Sequence, residues 1–230
     1  MVNPIRLLIY AVRYGRHFSF CQRLRRMITI EWIWPYVQSA ERVLEVGGGD
    51  GQTICFLAGR FRDKEFVVCE KDRKRLEKIA ERIAKADLKN VTVIQSSIEE
   101  YDEPDVFNFV FAVDVLEHIA DDRAALLQMK DKLTPGGNVF LHVPARGVSV
   151  FDDPDHVRPG YDQAALKALL EKAGFEVKRM EYTFGWRGVR HHHSRVYLPR
   201  FRRAWIHLLD LADGKKIKSS IGVLATKPRL

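Results

Sequence analysis

Three stretches of this chain carry residue types at spacings that suit chemistry. The first, "RVLEVGGGDGQT" from Arg42 to Thr53, ends a β-forming run in four glycines among five residues, with Glu45 ahead of them and Asp50 inside. Glycine this dense costs backbone entropy, and a tight turn or a close backbone approach to something bound is the compensation. In the second, "EFVVCEKD", Glu70 ends an apolar run with Lys71 beside it. A carboxylate at such a strand end can accept both hydroxyls of a ribose. The third, "DVLEHI", brings Asp114, Glu117 and His118 together. These residue types can ligate a divalent ion or supply a base. Local hydrogen bonds that orient the loop are the favoured role for Glu117 and His118, and no metal is assigned.

Two further histidines compete for the role of base. His156 sits among polar residues in "DDPDHVRPGY", whereas His142 in "FLHVPA" alternates with apolar neighbours and reads as core-lining. His118 and His156 are therefore the candidate catalytic residues. The triplet His191, His192 and His193 reads as surface decoration.

The glycine loop discriminates between ligand classes. A dinucleotide loop wants G-x-G-x-x-G, but the sixth position from Gly47 is Gln52, and Asp50 inside the loop would repel a pyrophosphate. Glu45 next to the loop favours a cationic ligand instead. S-adenosylmethionine has a ribose, an amino group and a sulfonium, and carries no phosphate.

The elements that must position these residues alternate. Val43–Val46 reads as a short buried strand, "GQTICFLAGRF" as a helix, "EFVVCEKD" as a strand and "DRKRLEKIAERIAKAD" as a helix with one apolar stripe. "VTVIQSSI" and "FNFVFAVD" supply strands three and four, Asp121–Leu133 a helix, and "NVFLHVPA" a fifth strand after the turn "TPGG". "DQAALKALLEKAG" reads as a helix capped at Asp162, and "FEVKRMEYTF" and "SSIGVLATKP" as the last strands. Such alternation implies a parallel sheet with helices on both faces and ligands beyond the carboxyl ends of the strands.

"VLEVGGGDG", "VVCEKD", "VIQSSIEE", "FAVDVLEHI" and "LTPGGNVFLHVP", in this order, resemble the successive motifs of class I S-adenosylmethionine-dependent methyltransferases. The resemblance covers about residues 42–184, with Ser219 to Pro228 similar to the family's final strand. It implies an α/β, Rossmann-like, seven-stranded, mostly parallel sheet with helices on both faces and an antiparallel last strand. It also implies S-adenosylmethionine as cofactor. Gly47, Gly49 and Gly51 would lie under its methionine portion with Glu45 beside them, and Glu70, next to Lys71, would accept the ribose. Ser97 and Ile98 would contact the adenine, and Asp114 and Val115 would form the floor near the sulfonium. The family often has Asp where this chain has Ser97, which can still accept a hydrogen bond from the adenine amino group.

Charge divides the chain. Residues 1–42 hold seven Arg against Glu31 and Glu41, residues 176–230 hold thirteen basic against four acidic residues, and the middle is acidic, within a net charge of +8. The expected organisation is a basic helical arm or lid over 1–41 and a methyltransferase domain over 42–230, with a basic insertion at 185–218. The aromatic and basic arm, and "RVYLPRFRRAWIHLL" after it, suit a lid over the site or a peripheral contact with an anionic membrane surface.

No apolar run approaches the about 20 residues of a membrane span, and the arm lacks the cleavage site of a secretory signal. Cys21, Cys55 and Cys69 have no metal-type spacing and suit reduced thiols in the cytoplasm. "HVRPGYDQAALKALLEKAGFEV" resembles the segment after strand five in quinone-pathway and related small-molecule methyltransferases. The acceptor is therefore expected to be a small molecule or lipid-like, with O-methylation one outcome. Strand four ends in "DVLEH", not in the Asn- or Asp-Pro-Pro-aromatic motif of amino-group base methyltransferases, so RNA or DNA is the less favoured acceptor. A binder that retains the fold without turnover is a third reading. Oligomeric state is not assigned.

Overall fold

The computed structural model describes residues 20–102, 106–146, 155–183 and 220–229, with only the backbone given for 20–24. Expectations for residues 1–19, for the insertion at 185–218 with Arg200, Arg202 and Arg203, and for His191, His192 and His193 lie outside the described residues.

The chain runs α1 (Phe20–Ser39), β1 (Arg42–Val46), α2 (Gln52–Arg60), β2 (Glu65–Glu70), α3 (Arg73–Lys85), β3 (Val91–Gln95) and β4 (Phe107–Val113). A single 3-10 turn at Leu116–His118 precedes α4 (Asp122–Lys132), β5 (Leu133–Pro144), α5 (Gln163–Lys172), β6 (Glu176–Tyr182) and β7 (Ser220–Thr226). The seven strands form one sheet in the order β3-β2-β1-β4-β5-β7-β6. β7 is antiparallel to both β5 and β6, and the other pairings are parallel. The order reverses at β1, between β2 and β4, so a crevice opens beyond the carboxyl ends of these strands.

Strand alternation divides the core into two layers. Leu44, Val46, Val67, Cys69, Val110 and Ala112 pack with Leu126 and Met129 of α4 and Leu166 and Leu170 of α5. Val43, Phe66, Val68, Phe109 and Phe111 face the other way, against Ile54 and Leu57 of α2, Ile79 of α3 and Ile33 and Val37 of α1. Complete burial of Ile33 and Val37 is worth about 1.5–3 kcal/mol each. Trp32 adds a ring contact to Phe140 at 5.6 Å and takes the Arg179 guanidinium over its face at 3.8 Å. The second half of the expected arm is thus part of the core.

One boundary and one cap differ from expectation. The helix ends at Lys132 and β5 begins at Leu133, absorbing "TPGG", because Gly136 N donates to Lys227 O and Lys227 N to Gly137 O, both at 2.9 Å. Asp162 precedes α5 without a side-chain cap; its carboxylate instead meets Arg146 at 3.4 Å.

Candidate functional site

A cleft of about 990 Å³ occupies the switch point, lined by the turn after β1, the ends of β2 and β4, the segment after β3, and Arg25, Arg26 and Thr29 of α1. Gly47, Gly49 and Gly51 all have positive φ, at 70°, 56° and 73°. Their surroundings differ. A Cβ on Gly47 would fall 2.5 Å from Val115, and one on Gly51 3.0 Å from Ile79 of α3, whereas one on Gly49 meets nothing within 4 Å. Gly47 and Gly51 therefore permit close packing of the turn, and Gly49 is the glycine with open space before it. Gly51 does not line the cleft.

Glu70 is buried and holds the turn. Its Oε2 accepts the Gly49 amide and its Oε1 the Asp72 amide, each at 3.0 Å, with Arg75 at 4.0 Å. A carboxylate has about four lone-pair sites, so two backbone donors leave acceptor capacity facing the cleft. Glu45 is buried one strand away, and its Oε2 has no hydrogen-bond partner among the described residues. Burial raises its carboxyl well above the ordinary value, Asp50 and Glu70 add to the rise, and the Ile54 amide opposes it. Asp50 is matched by Arg82, whose Nη2 donates to Oδ2 at 3.1 Å and whose Nε donates to the Asp50 carbonyl at 2.6 Å. Lys71, Ser97 and Ile98 line the same cleft, with Ile98 buried.

Asp114 and Val115 form part of the wall next to the glycine turn. Asp114 adopts a positive φ of 51°, a conformation that Asp tolerates better than most residues. Arg25 of α1 forms an ion pair with its Oδ2, and His142 Nδ1 lies 2.7 Å from its Oδ1. Burial and the Arg25 charge push His142 down to about 3, so the ring is neutral. An ionised Asp114 can only accept, so Nδ1 carries the proton, and Nε2 accepts from the Thr183 hydroxyl at 3.1 Å. His142 is buried as the sequence implies, and it also links β5 to the site floor.

The loop after β4 is laced to the loop after β5. His118 Nδ1 meets Asp155 O at 3.0 Å, and the Val157 amide donates to Glu117 O at 3.1 Å. Arg158 donates to the carbonyls of Leu116 at 2.6 Å and Ala120 at 2.9 Å, and the Tyr161 hydroxyl donates to Asp122 at 3.0 Å. This brings His156 against His118 with ring centroids 4.6 Å apart, edge to face. The Asp155 carbonyl accepts a hydrogen bond from the Nδ1–H of His118, which leaves Nε2 of the neutral ring with its lone pair free to accept a proton. Ligating atoms of Glu117, His118 and His156 lie within 4.8 Å of one another, a spacing that can hold a divalent cation. Asp114 is not in that group. His118 lines the cleft, and His156, against its ring, is not among the lining residues.

Cys55 is pushed up to about 11 and Cys69 to about 12, chiefly by burial, so both thiols stay protonated at neutral pH. Reading along the sequence missed Arg25, Arg26 and Thr29 as cleft residues. Their i, i+3 and i, i+4 spacing on one helix was the available signal. Among the described residues, no helix is long and apolar enough to cross a membrane.

Residues 44–139 match the methyltransferase domain family. The tRNA U34 carboxymethyltransferase of Vibrio cholerae is 29% identical over 160 residues, which is 63% of this chain and 50% of that protein. The (S)-coclaurine N-methyltransferase of Thalictrum flavum is 23% identical over 105 residues, 46% of this chain and 29% of that protein. The chain thus spans half the length, or less, of these relatives. A solved S-adenosylmethionine-dependent methyltransferase from Aquifex aeolicus superposes with a TM-score of 0.64 at 18% identity, covering 99% of this chain and all of that one.

Proposed function

Since this chain belongs to the class I S-adenosylmethionine-dependent methyltransferases, we propose that it transfers a methyl group to a small-molecule or lipid-like acceptor, with O-methylation one outcome. One observation carries the cofactor assignment: the cleft combines the open space before Gly49, the buried Glu70 behind it and an orphaned carboxylate oxygen on Glu45. These features fit S-adenosylmethionine. Glu70 and Lys71 would hold the ribose end, Ser97 and Ile98 the adenine, and Gly47, Gly49 and Glu45 the methionine end, while Gly51 supports the turn from behind. Bound there, the cofactor supplies an electrophilic methyl group on a sulfonium.

The chain's own contribution is alignment and proton handling. Asp114, held by Arg25 and His142, and Val115, packed on Gly47, form a rigid wall where the acceptor meets the methyl group. Much of the barrier lowering in such a displacement comes from holding the reacting atoms in line away from water. His118 Nε2, with His156 beside it, would accept the proton of an acceptor hydroxyl when the cofactor supplies its methyl group.

Support for a small acceptor comes from the enclosing helix α1 and from the coclaurine N-methyltransferase similarity. The basic N-terminal and C-terminal segments support a lipid-borne acceptor reached at an anionic membrane surface. RNA is the second reading, favoured by the match to the tRNA enzyme over 63% of this chain and by the same basic segments. Radiolabelled methyl transfer from S-adenosylmethionine, run against a panel of phenols and aliphatic alcohols, anionic vesicles and total tRNA, separates them. Label in small molecules or lipid is expected. Label in tRNA alone would overturn the acceptor assignment.

A further inference from the structure

We infer that α1 completes the cofactor site, with Thr29 and Arg26 binding the α-carboxylate at the amino-acid end of S-adenosylmethionine while Glu45 takes its ammonium group. The inference rests on the proposed cofactor and adds residues outside the segment that matches the methyltransferase domain family.

Thr29 is fully buried and lines the cleft, yet its Oγ1 has no hydrogen-bond partner among the described residues. A helical threonine ordinarily satisfies its hydroxyl on a carbonyl one turn back. Buried polar groups in native structures are nearly always satisfied, so this one calls for a ligand. Glu45 Oε2 is the second orphan on the same cleft. One atom is a hydroxyl donor and the other a carboxylate acceptor. A zwitterionic amino acid requires such a pair of opposite partners.

Both orphans belong to one end of the cleft. Arg26 donates from Nη1 to Gln52 Oε1, and Glu45 interacts with the Ile54 amide, so both reach the first turn of α2. Thr29 follows Arg26 by three positions and shares its helix face. Arg26, the Thr29 hydroxyl and the start of α2 thus surround one spot with donors and positive charge, which suits a carboxylate. Glu45, whose burial disfavours its charge, suits the neighbouring ammonium, which would restore that charge. Arg25, the preceding residue, is committed elsewhere, to Asp114.

The test is a calorimetric titration of the full chain with two ligands, S-adenosylhomocysteine and 5′-methylthioadenosine, which lacks the amino-acid end. Thr29→Val and Arg26→Met should each weaken S-adenosylhomocysteine about tenfold or more and leave 5′-methylthioadenosine within about twofold of the parent chain. Thr29→Val should also leave the ligand-free melting temperature unchanged or raised, since it removes an orphan. Equal weakening of both ligands, or no weakening of either, would overturn the inference. If neither ligand binds the parent chain, the cofactor assignment itself fails, which is a separate outcome.

Discussion

His142 Nδ1 stands 2.7 Å from Asp114 Oδ1, a hydrogen bond between β5 and the end of β4 made by a ring that burial and Arg25 hold neutral. An unfolded histidine takes a proton near 6.5, whereas this one resists until about 3. Between those values the folded state binds fewer protons than the unfolded state. Stability therefore falls as pH drops through 6.5, with a slope of up to about 1.4 kcal/mol per pH unit from this group. Urea midpoints from pH 7.5 to 4.5 should decline more steeply for the parent than for His142→Gln, which keeps a donor and an acceptor without titrating. Parallel slopes would place the acid sensitivity elsewhere.

Glu45 has the opposite linkage. Its carboxyl is raised above 4.5, so the ligand-free folded state holds a proton that the unfolded state has released, and stability falls as pH rises from 4.5 through the raised value. Glu45→Gln should raise the ligand-free melting temperature at neutral pH by a few degrees. A cationic ligand favours the ionised form, so cofactor affinity should increase with pH over the same window. The Gln variant should bind about tenfold more weakly at pH 8 and show a flatter pH profile, measured by calorimetry in parallel buffers.

Substitution separates the glycines by role. Gly49→Val places its branches in open space and should lower cofactor affinity more than stability, beyond the about 1–2 kcal/mol strain of a left-handed conformation. Gly51→Val drives a side chain into Ile79 and should cost about 1–3 kcal/mol of stability or more before affinity is considered. Thermal unfolding without ligand, set beside cofactor titration, measures both effects. Equal behaviour of the two variants would remove the distinction.

The positions of glycines and acids were legible in the sequence because both serve the backbone. A dense glycine turn after a strand, followed by Glu70 at the next strand end, needs no tertiary information. Thr29 and Arg26 were legible only as neighbours on one helix face, through their i, i+3 spacing, since what that face meets depends on how α1 packs across the sheet. His142 was half legible: apolar alternation gave its burial, but its partners Asp114 and Thr183 lie 28 and 41 residues away. The seven-stranded, mostly parallel sheet followed from element alternation and motif order, whereas the start of β5 depended on Lys227, which only the fold brings to "TPGG".

His118 as the proton acceptor, with His156 beside it, predicts turnover that survives exhaustive chelation and falls by about a hundredfold to ten-thousandfold in His118→Ala, with the loss concentrated in kcat. Initial rates with and without a chelator, for parent and variant, read this directly. Complete loss on chelation, restored by one divalent ion, would reassign Glu117, His118 and His156 as metal ligands, a role their 4.8 Å grouping permits.

The central claim, that the cleft at the ends of β1 and β2 binds S-adenosylmethionine, is tested most directly by calorimetric titration of the full chain with that cofactor. One site per chain is predicted, with affinity reduced by about 1–3 kcal/mol in Glu70→Ala, the size of lost charge-assisted hydrogen bonds. A folded parent chain that gives no saturable binding, or a Glu70→Ala variant that binds as tightly as the parent, would contradict it.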